Sequence, residues 1–176
     1  ETVLVHGIGG GVSLACLQLA KLVGARVIVT SRSETKLQRA SELGADETMI
    51  ADDQVARAVR GLTGKRGADV VVDSVGEATW MQSLKAAAKG GRIVTCGATS
   101  GPNPAEDIRL IFWNQLSVIG STMGSREDWR QLVSAVDTPA LRPVVETEMP
   151  LAEGKSAYAR LDRADQFGKI VLTNDG

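Results

Sequence analysis

The chain has 176 residues, of which 43% are hydrophobic and 23% charged, the profile of one globular domain able to bury a core without staples. Its formal net charge of −1, with acidic and basic residues interspersed, excludes the phosphate-neutralising surface of a nucleic-acid binder. Cys16 and Cys96 sit apart in apolar runs without metal-ligand spacing, and no apolar run reaches the ~18 residues of a membrane helix. A signal-peptide pattern is absent as well, so the expectation is a cytoplasmic protein with two reduced core thiols.

In chain order, short β-branched runs alternate with stretches of helical periodicity. A strand at 2–6 leads to a helix at 12–23, and a strand at 26–30 to a helix at 34–43 that Gly44 closes in a left-handed cap. Strand 47–51 precedes helix 53–62, and strand 69–73, with its unbroken valine core, precedes helix 77–88. Strand 92–97, a Gly/Pro/Asn-rich loop, helix 105–114, strand 116–121 and helix 126–136 complete the alternation. Continuous apolar strands joined through amphipathic helices imply an α/β fold: a doubly wound, six-stranded parallel sheet with helices on both faces. Ligands of such sheets bind at the carboxyl ends of the strands.

The rhythm breaks after that. Pro139, Pro143 and Pro150 punctuate residues 138–150, followed by a helix near 151–161 and a strand at 169–173. The expected division is a dinucleotide-binding domain over 1–140 and a separate C-terminal unit over 141–176. The chain also opens on Glu1 without an initiator Met and is in a strand by Thr2, so a segment ahead of it is expected.

The first strand runs straight into Gly7, Gly9, Gly10, Gly11 and Val12, where a helix begins. Glycines there let the backbone turn tightly and approach a pyrophosphate, and the helix N-terminus offers free N–H groups to the anion. A glycine cluster by itself is also a common bare turn; its place after the first strand of this pattern makes it a nucleotide site. The strict three-glycine fingerprint is not met, because its third glycine position falls on Val12.

The tip of the second strand selects the nucleotide. An acidic residue would grip the ribose 2′-hydroxyl of NAD, but here stand Ser31 and Arg32, with Lys36 one helical turn on. A small hydroxyl makes room for a 2′-phosphate and Arg32 can pair with its oxygens, so NADP(H) is favoured and NAD(H) remains possible. The bland reading makes Arg32 and Lys36 ordinary solvated charges. His6, at the end of the first strand, reads as a satisfied core histidine, and no metal site and no catalytic residue is expected within this chain.

These residues resemble the medium-chain dehydrogenase/reductase superfamily, nearest its quinone oxidoreductase-like branch and the zinc-type alcohol dehydrogenases. The likeness is carried in order by residues 3–7 with Gly10, Gly11 and Val12, by 18–21, 42–46, 69–73 with Gly76, 90–94 with Gly97, and 120–124, then by Arg142, Pro143 and 167–172. The resemblance implies a separate catalytic domain, missing here, to which the chain returns after the sixth strand. It also implies a pyrophosphate over Gly10, Gly11 and Val12, and an adenosine ribose beside Ser74 and Val75. The nicotinamide would rest against Gly97, Ala98, Ser121, Thr122 and Met123. Two positions depart from the family: Ser13 replaces a usual glycine and should crowd the helix start, and Ala51 replaces a frequent tyrosine.

The activity implied is hydride transfer to or from a carbonyl, quinone or enoyl substrate, by a fragment inactive alone. An NAD-linked zinc alcohol dehydrogenase domain and a non-catalytic nucleotide-binding module stay open as alternatives. The apolar sixth strand should pair two copies into a homodimer, with the tail either folded back or poorly ordered.

Overall fold

The computed structural model describes residues 1–136 and 141–174. Six parallel strands, β1 (Thr2–Val5), β2 (Arg26–Ser31), β3 (Glu47–Ile50), β4 (Ala68–Asp73), β5 (Ala87–Thr95) and β6 (Ser117–Gly120), form one sheet in the order β3-β2-β1-β4-β5-β6. The chain winds outward from β1 to one edge and then from β4 to the other, so the switch in direction lies between β1 and β4, beside the glycine turn. The expected doubly wound architecture is the one observed.

Strand valines alternate between two cores. Val3, Val5, Val27 and Val29 pack with Leu14 and Leu17 of helix α1 (Gly11–Leu22) and with Leu37 and Ala40 of α2 (Glu34–Glu42). On the other face Leu4, Ile28, Val71 and Ile93 meet Val55 and Val59 of α3 (Val55–Leu62) and Leu84 of α4 (Trp80–Ala86). The period of two in the strands therefore feeds both layers, as a sheet covered on both faces requires.

Element edges moved where side chains compete for the backbone. Helix α4 starts three residues later than its periodicity suggests, because the Asp73 carboxylate accepts from the Val75 and Gly76 N–H groups and the Thr79 hydroxyl, holding a turn there. The same helix ends early: Ala87 already pairs with Ala68, and Gly67 at φ +97 has Ala86 O 2.5 Å from where a Cβ would stand. Helix α5 (Ile108–Trp113) begins after Asp107, whose side chain caps the Arg109 N–H, and α6 (Arg126–Val136) matches its expected bounds.

The boundary at residue 140 lies outside the described residues. From Leu141 the chain folds back over α1 and α2. The proline-punctuated stretch holds a strand that periodicity missed, β7 (Val145–Pro150), parallel to β8 (Lys169–Thr173); a 3-10 turn (Leu151–Glu153) and α7 (Gly154–Asp162) join them. Pro150 is tolerated because it stands at the strand's last pair. Phe167, 2% exposed, completes the first core, with the Arg39 guanidinium 4.3 Å above its ring. Glu146 bridges Arg39 and Arg160, and Leu141 and Ala157 are buried too, whereas Leu151, Tyr158 and Leu161 stay exposed.

Candidate dinucleotide site

Because the strands are parallel, the loops after β2, β1, β4, β5 and β6 stand in a row along one end of the sheet, spanning four strand spacings or about 19 Å. The glycine turn occupies the switch point. Gly7 and Gly9 take φ +68 and +125, conformations that suit glycine, and a Cβ at Gly9 would come within 2.9 Å of the Lys36 methylenes. A Cβ on Gly11 would stand 2.6 Å from Cε of Lys169 and 2.8 Å from its Nζ. The turn is thus roofed by two lysines, one on each side.

Helix α1 starts from Gly10 with no side-chain cap and no acidic residue in its first turn, so its leading N–H groups are open to an anion. Ser13 does not crowd that start. Its hydroxyl lies 3.1 Å from the Gly7 carbonyl and 3.0 Å from the Gly10 carbonyl, tying the two ends of the turn together.

At the tip of β2, Ser31 is buried and its hydroxyl accepts the Ser33 N–H, while Arg32 is exposed. Lys36 is not an ordinary solvated charge. Its Nζ donates to the Ala164 carbonyl of the tail at 2.6 Å, and burial lowers its pKa against the raising fields of Glu146 and Asp165. Lys36 therefore ties the tail to the turn and is already engaged there.

Ser74 and Val75 follow β4 and stand beside the turn: Val75 Cγ2 is 3.0 Å from a Cβ built on Gly7. Gly97 and Ala98 follow β5 and are exposed, with the Ser74 carbonyl 3.0 Å from a Cβ built on Gly97. The Thr99 N–H and hydroxyl both donate to that carbonyl. Ser121, Thr122 and Met123 follow β6; the Ser121 N–H reaches the Thr95 carbonyl at 2.8 Å, and all three are exposed. So Val75 stands against the turn, Ser74 against Gly97, and Ser121 joins them through Thr95 of β5.

Sequence reasoning gave Lys169 no part in the site, counting it only within a strand and the family likeness of 167–172. Its ammonium makes no hydrogen bond or ion pair among the described residues and overhangs the uncapped end of α1. His6 is buried as expected, but it is only half satisfied. Its Nδ1 is 3.2 Å from the Thr30 hydroxyl, and its Nε2 has no partner among the described residues. No helix among those residues is long and apolar enough to cross a membrane.

A family model described as zinc-binding dehydrogenase matches residues 11–138. An acryloyl-coenzyme A reductase of Metallosphaera sedula is 34% identical over 98% of this chain and 51% of its own length. A crystal structure of an NAD-dependent alcohol dehydrogenase superposes with a TM-score of 0.92 at 43% identity, covering 98% of this chain and 51% of that one. A mycobacterial protein complexed with NADPH superposes with a TM-score of 0.85 at 33% identity, covering 98% and 56%. The chain spans about half the length of the curated relatives it matches.

Proposed function

The chain belongs to the zinc-binding dehydrogenase family, within the medium-chain dehydrogenase/reductase superfamily, and on that premise we propose that it is the NADP(H)-binding domain of an oxidoreductase. The observation that carries this reading is the glycine turn at the switch point, with the Lys36 chain against Gly9 and the Lys169 ammonium, unengaged among the described residues, against Gly11 at the uncapped start of α1.

In the proposed site the pyrophosphate lies over Gly10, Gly11 and Val12, held by the first N–H groups of α1 and by Lys169. Gly7 and Gly9 shape the approach. Ser31 leaves space for the 2′-phosphate and Arg32 pairs with it, while Lys36 serves the turn more than the phosphate. Ser74 and Val75 line the adenosine ribose; Gly97, Ala98, Ser121, Thr122 and Met123 face the nicotinamide, where their backbone groups meet the carboxamide. The bound cofactor supplies the hydride, to or from a carbonyl, quinone or enoyl carbon. This chain's residues bind and orient; none of them is assigned a proton-transfer role.

The family's zinc does not fit here. Among the described residues no grouping of three His, Cys, Asp or Glu side chains could hold a metal ion. We place the substrate site in a further domain of a longer protein, against which residues 141–176 would pack. A homodimer through β6 completes the reading: all four of its residues are exposed at a sheet edge, and an open apolar edge favours pairing. An NAD-linked alcohol dehydrogenase domain is the second reading, favoured by the prior engagement of Lys36 with Ala164 and by the likeness to the NAD-dependent enzyme. Isothermal titration with NADPH and NADH at fixed salt decides between the two. Tighter NADPH binding supports the first, tighter NADH binding the second, and binding of neither removes both.

A further inference from the structure

His6 is the sole histidine of the chain, and its ring is sealed beneath the glycine turn at the end of β1. The Thr30 hydroxyl, itself buried at the end of β2, lies 3.2 Å from His6 Nδ1 and also accepts the Gly7 N–H at 3.4 Å. The Thr30 carbonyl takes the next N–H of the turn, from Ile8, at 2.8 Å. Beyond Gly7 the connection continues, because the Gly7 carbonyl accepts from Ser13, whose hydroxyl also bonds the Gly10 carbonyl. An unbroken line of polar contacts thus runs from His6 through Thr30, Gly7 and Ser13 to the residue that opens α1.

A hydroxyl that accepts from Gly7 has its proton left for one acceptor, and His6 Nδ1 is the acceptor within reach. Donation to Nδ1 puts the proton of the neutral ring on Nε2, which has no partner among the described residues. We infer that His6 is a positioning residue for the dinucleotide turn, holding Gly7 in register through Thr30 only while its ring is uncharged. A second proton would sit on Nδ1. The Thr30 oxygen, with two lone pairs, would then face both N–H groups, of Gly7 and of the ring, while its own proton would be left buried without an acceptor, weakening its hold on the turn.

The surroundings agree with a neutral ring. Burial lowers the pKa of His6 from its ordinary value, and the charged group whose field opposes this is Asp73, at the end of β4. Asp73 is otherwise occupied by the Val75 and Gly76 N–H groups and by the Thr79 and Ser83 hydroxyls; Thr30 of β2 and Gly7 carry no charge. Affinity for the cofactor should therefore fall in acid, below the ordinary histidine range.

The inference rests on the dinucleotide reading, so its test must separate the two. ADP-ribose serves as probe, since it carries the adenosine and pyrophosphate but neither the 2′-phosphate nor the acid-labile dihydronicotinamide of a reduced cofactor. Isothermal titration of the chain should show affinity level through the ordinary histidine range and dropping about fivefold or more as the pH falls below it. The proton NMR signals of the single imidazole should move over the same interval. His6→Asn, whose amide can meet Thr30 without titrating, should bind within about threefold of the parent at pH 7 and show a flat profile. Thr30→Val provides the second variant: it should weaken binding at every pH and also flatten the profile. A parent profile that is flat while ADP-ribose binds, or that falls equally in a folded His6→Asn or Thr30→Val protein, overturns the inference. Failure of ADP-ribose to bind at any pH overturns the dinucleotide reading instead, and this inference with it.

Discussion

Gly168 donates its backbone N–H to the Gly9 carbonyl at 2.8 Å, so the last strand of the chain starts on the turn where the first one ends. Gly168 has φ +106, and a Cβ there would lie 2.3 Å from the Val144 carbonyl oxygen. Both a conformation that disfavours L side chains and a backbone collision oppose any substitution. Gly168→Ala should destabilise the fold by about 1–3 kcal/mol and loosen β8 from the turn. Urea unfolding measures the first and hydrogen exchange at Gly168 and Lys169 the second. Unchanged stability would mean that the tail is not anchored through this contact.

Lys169 reaches the site only because that junction fixes the start of β8. Its ammonium engages nothing else among the described residues, so Lys169→Ala should leave the thermal midpoint unaltered. Dinucleotide affinity should fall about tenfold or more, the scale of one charge-assisted hydrogen bond. Lys169→Arg should retain most of it. Titration with ADP-ribose checks both variants, and an Ala variant that binds like the parent would remove Lys169 from the site.

The alternation of strands and helices, and with it the layer order of the fold, was legible because valine runs and amphipathic stretches have distinct periods. The glycine turn was legible for the same reason: it sits where one period changes to the other. What escaped were features made by contacts distant in sequence. Lys169 lies far along the chain from Gly11 and carries no local sign of its place, and Lys36 read as a 2′-phosphate partner or a solvated charge because Ala164, which it bonds, is 128 residues away. Strand β7 escaped because Glu146 and Glu148 interrupt its apolar pattern, and the half-buried Glu146 is paired there by Arg39 and Arg160. Ser13 read as a steric fault until both of its carbonyl partners were visible.

Acid should unfold the chain partly through Asp69. Its carboxylate accepts from the Arg66 guanidinium and from the Thr2 N–H, and the Arg66 bond holds its pKa down at about 2. A pKa below that of the unfolded chain means the unfolded state binds the proton first. The contribution is therefore complete above the ordinary aspartate value and is lost as the pH falls toward about 2. Asp69→Asn should cost about 1 kcal/mol at neutral pH, the scale of a solvent-screened pair, and should unfold with a shallower slope in acid. Parallel stability-versus-pH curves for the two proteins would show that Asp69 carries none of the acid sensitivity.

In the proposed site the choice of nucleotide comes down to Arg32. With Lys36 committed to Ala164, Arg32 is the exposed cation at the β2 tip, beside the buried hydroxyl of Ser31. A guanidinium meets a phosphate through paired N–H groups, whereas a ribose hydroxyl offers it no charge, so removing it should act on one cofactor more than the other. Arg32→Ala should weaken NADPH by about 1.5–3 kcal/mol, roughly ten- to hundredfold, and leave NADH within about threefold. The backbone around the turn does not depend on this side chain, so the variant should fold as the parent does. Raising salt should weaken NADPH more than NADH in the parent and bring the two together in the variant, because the 2′-phosphate contact is screened. Lys36→Ala behaves differently on the same geometry: it should reduce affinity for both cofactors alike, through the turn and the tail it ties together. If Arg32→Ala lowers both affinities equally, or if the parent shows no NADPH preference, the β2 tip does not read the 2′-phosphate and the NAD-linked assignment takes its place.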